Sequence, residues 1–118
     1  MVNYQTVQLD RTFAALTDAT RRAILARLEA KGPTTISDIA EPLPIKLPAV
    51  LKHLGVLEDA GLITRSKVGR VVTVRLDARP MKPALSYLQR YERFWTSRLD
   101  HLARYAEGKE RAVRRNTK

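Results

Sequence analysis

A chain of 118 residues with 22 Lys and Arg against 12 Asp and Glu carries a formal charge of +10, which favours a polyanionic partner, nucleic acid or an acidic membrane surface. It has no cysteine, so disulfides, thiolate metal sites and cysteine redox switching are excluded. The 44% hydrophobic fraction suits one folded domain rather than wholesale disorder, and no apolar run nears the ~20 residues of a membrane span. The opening MVNYQTVQLD lacks the basic-then-apolar order of a signal peptide, so the expected setting is cytoplasmic and soluble.

Leu9, Phe13 and Leu16 fall at i, i+4 and i+7, the spacing of a short amphipathic helix ending near Leu16. Thr17 or Asp18 can cap a second helix, ATRRAILARLEAK, whose inward residues are Ile24, Leu25 and Leu28 and whose stop is Gly32-Pro33. Thr35 can cap a third, ISDIAE, with Ile36, Ile39 and Ala40 inward, and Pro42 and Pro44 end it within a turn.

The stretch 46–63, KLPAVLKHLGVLEDAGLI, predicts a fourth helix with Val50, Leu54 and Leu57 on its inner face. Pro48 suits a first-turn position, where its missing N–H has no partner to lose, and Gly61 suits a left-handed cap. Outward lie Pro48, Ala49, Lys52 and Gly55, flanked by Leu47, Leu51 and His53, with no acid before Glu58. An acid-free outer face in a strongly basic chain is a candidate for a nucleic-acid groove. The short third helix followed closely by this one is the helix-turn-helix spacing.

After Gly61 the period changes from 3.6 to 2: residues 63–67 and 71–76 read as two strands joined through Val68, Gly69 and Arg70. Residues 62–76 hold four bases, Arg65, Lys67, Arg70 and Arg75, and no acid. A basic hairpin in this place is a wing, suited to phosphates or the minor groove.

From Pro80 the helical period returns. Leu88, Tyr91, Trp95, Leu99, Leu102 and Ala106 form a stripe on a helix expected over 82–107, about 40 Å long. That exceeds what a domain of this size needs for its own core, so part of the stripe is expected to cover a second copy of the chain. Five of the seven aromatics lie here, as at a subunit interface. Residues 108–118, with five bases and one acid, read as a frayed or disordered basic tail beyond the domain 1–107.

FAALTDATRRAIL, LPAVLKHLGVLEDAGLI and the segment ending YERFWTSRLDHLARY together resemble the ArsR-type winged helix-turn-helix regulators over roughly residues 10–105. The resemblance implies a mainly α fold of about five helices with a two-stranded wing, and a bacterial, homodimeric, sequence-specific transcriptional repressor bound to a pseudo-palindromic operator in double-stranded DNA. It implies pairing through the first and last helices, here Leu9, Phe13, Leu88, Tyr91, Trp95, Leu99 and Leu102. It also implies that the helix from Pro48 lies in the major groove. Two departures stand out. Members that sense thiophilic metals carry a cysteine pair before the recognition helix, where this chain has ISDIAE; and Lys46 replaces the usual capping Ser, unable to accept a capping bond but able to reach a phosphate.

The DNA-reading residues expected on the recognition helix are Lys46, Leu47, Pro48, Leu51, Lys52 and His53. Leu47 and Leu51 suit thymine methyl groups, Lys52 a guanine edge or a phosphate. His53 has two open readings, a phosphate or base contact and packing at the helix edge. Backbone contacts are expected from Lys67 and Arg70 on the wing, and from Thr35 beyond its capping role. Arg21 and Arg22, at the start of the second helix, could touch DNA backbone but read first as surface or ion-pair residues. No metal site is expected, because Asp100 and Glu107 do not share a helical face with His101. No cofactor or catalytic constellation is legible either, so an enzyme is not expected. The competing reading is a winged-helix protein-interaction module without specific DNA binding; an effector is not identified.

Overall fold

The computed structural model describes residues 3–116. Its order is α1 (Tyr4–Leu16), α2 (Ala19–Lys31), β1 (Thr34–Thr35), α3 (Ile36–Ala40), α4 (Leu47–Asp59), β2 (Ile63–Val68), β3 (Val71–Leu76), α5 (Met81–Gln89) and α6 (Glu92–Asn116). The fold is the expected winged helix-turn-helix, mostly helical with one small antiparallel sheet in the order β1-β3-β2. Contacts cluster into two units, divided after Ala84.

In the first unit the caps follow their chemistry. Asn3 accepts from the Gln5 N–H, Asp18 from the Arg21 N–H and Thr35 from the Asp38 N–H, each satisfying a first-turn donor that the helix leaves open. At the end of α4, Gly61 donates to the Glu58 carbonyl and Leu62 to the Leu57 carbonyl, both at 2.9 Å. With Gly61 at φ 75°, this paired closure is a Schellman cap. Gly69, at φ 62°, opens the two-residue turn between Val68 and Val71. Glycine there gives the type II′ geometry that matches strand twist.

The core joins Ile24 and Leu28 of α2, Ile39 of α3, Val50, Leu54 and Leu57 of α4, and Leu62, Ile63 and Val74 of the wing base, all fully buried. Burying each such side chain stabilises the fold by roughly 1.5–3 kcal/mol. On α1 the innermost residues are Thr12 and Ala15, with Leu9, Phe13 and Leu16 half-buried beside them. Gln8, Thr12 and Ala15 share the same i, i+4, i+7 spacing one residue earlier, and the smaller pair lets α1 approach closely. The Gln8 amide donates to the Ala60 carbonyl at 2.9 Å, and the Thr12 hydroxyl to the Gln8 carbonyl at 3.1 Å.

Two further features depart from expectation. The two-stranded wing is present, but its sheet has a third strand that was not expected: Thr34 and Thr35 pair with Val74 and Thr73, tying the α2–α3 link to the hairpin. And the long helix is two helices. Around Arg90 and Tyr91 the chain bonds three residues back, Arg90 N–H to Tyr87 and Tyr91 N–H to Leu88, a tightened turn that needs no Gly or Pro.

In the second unit α6 runs 25 residues, about 37 Å, and remains helical to Asn116 where the sequence suggested a frayed tail. Leu88, Tyr91, Trp95, Leu99 and Leu102 are 46–60% exposed. Tyr91 sits edge-on to Tyr87 at 5.6 Å and 6.5 Å from Phe94. No helix among the described residues is long and apolar enough to cross a membrane.

Candidate nucleic-acid interface

The first turns of α4 begin without a side-chain cap: the Lys46 carbonyl accepts from Ala49 and Val50, while the Lys46 side chain makes no capping bond. Pro48 sits inside the first turn, where no N–H is needed. With Val50, Leu54 and Leu57 fully buried, the opposite face is presented outward. Leu47 is 52% exposed and Leu51 40%, and Lys46, Pro48 and Lys52 are exposed with them. Leucine at such exposure costs solvation, which apolar contact with a partner would recover.

The hairpin carries Lys67 and Arg70 exposed near its tip, flanked by Val68, 78% exposed, and Val71. Arg65 does not share that freedom. Its guanidinium takes both carboxylate oxygens of Glu58 at 3.1 Å, joining β2 to α4. Thr35 is half-buried and caps α3 with its hydroxyl at 3.2 Å from the Asp38 nitrogen.

His53 is only half-buried, and its surroundings come from α2. Its Nδ1 lies 3.3 Å from Arg21 Nη1 and 3.7 Å from the Asp18 carboxylate. The Arg21 N–H bond, and then the nearby Arg21 charge, hold the Asp18 carboxyl below its ordinary value against the opposing effect of burial. Arg21 and Arg22, read from sequence first as surface or ion-pair residues, also close the end of α1. Arg21 donates to the Ala14 and Ala15 carbonyls at 3.0 and 2.8 Å, Arg22 to that of Leu16 at 2.8 Å. The last carbonyls of any helix need donors from outside it, and a two-residue link followed by arginines is the signal that could have found these. Among the described residues no three His, Asp or Glu side chains are grouped to hold a metal ion.

A helix-turn-helix domain profile matches residues 16–66, from the end of α1 to the middle of β2. The HTH-type transcriptional regulator Rv2034 of Mycobacterium tuberculosis is 40% identical over 90 residues, covering 76% of this chain and 80% of that one. A crystal structure of an ArsR family transcriptional regulator superposes with a TM-score of 0.71 at 40% identity, over 82% of this chain and 98% of that one. The chain belongs to the ArsR-type winged helix-turn-helix regulators. An ArsR-like regulator from Rhodococcus sp. RHA1 gives a TM-score of 0.63 at 33% identity, over 85% and 93% of the two chains. The transcriptional repressor SdpR of Bacillus subtilis is 30% identical over 68% of this chain and 88% of its own length. As an ArsR-type protein this is a DNA-binding regulator of transcription; the exposed face of α4 lies within the span of that profile, and the hairpin tip lies just beyond it.

Proposed function

We propose that the protein is a homodimeric, sequence-specific repressor whose two α4 helices enter successive major grooves about 34–36 Å apart on a pseudo-palindromic operator. One observation carries this reading: the acid-free, exposed first turns of α4 lie in the same compact unit as an exposed basic hairpin tip. Lys46, Leu47, Pro48, Leu51, Lys52 and His53 face the bases and adjoining phosphates. Lys67, Arg70 and Thr35 hold the backbone, where sign matters more than geometry.

Dimerisation is proposed through Leu9 and Phe13 of α1 together with Leu88, Tyr91, Trp95, Leu99 and Leu102. Five large apolar side chains about half exposed support it, since a second copy would take them out of water. The name of the SdpR relative, a repressor, favours blocking of polymerase over its recruitment.

Selection of bound sequences from a random DNA pool, followed by footprinting and sedimentation, tests the reading. The expected result is a dyad protected by a dimer. Protection of single half-sites, or a monomer on DNA, would overturn the dimeric mode, and recovery of no preferred sequence would overturn specific recognition.

A further inference from the structure

Arg21 is a junction. Its Nε and Nη2 serve the carbonyls of Ala15 and Ala14 at the end of α1, and its Nη1 lies 3.3 Å from His53 Nδ1 on α4. Its backbone N–H meanwhile binds the Asp18 carboxylate at 3.0 Å. An arginine fork can serve three acceptors in one plane; a lysine ammonium offers no such fixed fork.

The arrangement bears on the proton of His53. An arginine N–H can only donate, so a bond to Nδ1 requires that Nδ1 be the unprotonated, accepting nitrogen. Asp18 competes for the opposite state, since its carboxylate could accept from an Nδ1–H. It stands farther off, at 3.7 Å, and already accepts from the Arg21 backbone. Asp18 and Arg21 of α2 are the charged groups brought to the ring within bonding range, and Lys52 is its basic neighbour on α4 itself.

We infer that Arg21 fixes His53 as the neutral tautomer protonated on Nε2, so that Nε2–H is the ring's one hydrogen-bond donor for a DNA phosphate or base acceptor. Arg21 is then a positioning residue, linking α1 to the reading helix without touching DNA. His53 is both packed and reading, its side chain 22% exposed with one nitrogen held and the other available. This inference rests on the DNA-binding reading for its consequence, but the tautomer itself does not.

The test has two arms. Long-range ¹H–¹⁵N spectra of the free protein at mildly alkaline pH report each imidazole's tautomer, with His53→Asn assigning the signals. The Nε2–H pattern is expected for His53, shifting towards Nδ1–H in Arg21→Gln as Asp18 becomes the partner; an Nδ1–H or doubly protonated ring in the unaltered protein overturns the inference.

The second arm uses a DNA site selected from a random pool. His53→Gln keeps a donor near the Nε2 position and should bind within about threefold of the parent. His53→Asn keeps an acceptor near the Nδ1 position for Arg21, while its amide N–H groups fall short of the Nε2 position, and it should lose about ten- to a hundredfold, the range of one charge-assisted hydrogen bond. The reverse ranking overturns the inference. Arg21→Gln should weaken binding in the parent but add little to His53→Asn, and fully additive losses would separate the two residues. If no DNA site is recovered while the tautomer is as expected, the DNA-binding reading fails and the Arg21–His53 link stands.

Discussion

Glu58 and Arg65 form a two-pronged ion pair, Oε2 to Nε and Oε1 to Nη2, each at 3.1 Å. It spans from the last turn of α4 to the third residue of β2, so α4 and the hairpin are tied by a two-pronged bond as well as by their shared core.

Both partners are partly exposed, so Glu58→Gln should alter stability by less than about 1 kcal/mol. It releases a cation beside the wing, and affinity for non-specific DNA should rise, with a salt slope steeper by up to about one unit. Chemical denaturation and binding across a salt series check the two parts. An unchanged slope would place Arg65 away from the DNA.

The proposed interface gives its exposed residues different tasks. Arg70→Ala should weaken binding to all sequences alike and lower the salt slope by about one unit, whereas Leu51→Ala should change sequence preference more than slope. Selected pools for the two variants, compared base by base, distinguish these outcomes. A slope that Arg70→Ala leaves unmoved removes the wing from the interface.

Gly61 at φ 75° makes the turn between α4 and the wing, and a Cβ there would lie 3.4 Å from the Pro80 ring. That distance is ordinary contact, so the cost of Gly61→Ala comes from the left-handed backbone, about 1–2 kcal/mol. A matching fall in denaturation midpoint is expected, with the slope of the transition unchanged.

Acid should loosen the fold through two carboxylates. Side-chain and backbone bonds with Arg79 draw Asp77 down to about 2, and the Arg21 N–H draws Asp18 below its ordinary 3.8. A depressed carboxyl binds protons more readily in the unfolded chain. Its stabilisation is therefore complete above about pH 4 and is lost as the pH falls through the lowered value. Thermal midpoints should decline over that range, and Asp18→Asn should flatten part of the decline; a profile identical to the parent's would remove Asp18 from the account.

Much of this was legible in the residues themselves. Local rules fixed it: the 3.6-residue period of Val50, Leu54 and Leu57, the capping oxygens of Asp18 and Thr35, the left-handed glycines at 61 and 69, and the change to period 2 along the wing. Tertiary structure decided what local rules leave degenerate. Leu9-Phe13-Leu16 and Gln8-Thr12-Ala15 have identical spacing, and the face that allowed α1 closest to Ala60 went innermost. Two threonines are too short to signal a strand until β3 offers them partners. The turn at Arg90 and Tyr91 shifts hydrogen bonding by one residue without a breaker to mark it. The end of α1, Asp18, Arg21 and His53 meet only after the second helix has folded back against the fourth. An arginine's acceptors are set by which carbonyls and rings the packing brings within reach, and sequence spacing holds no record of them.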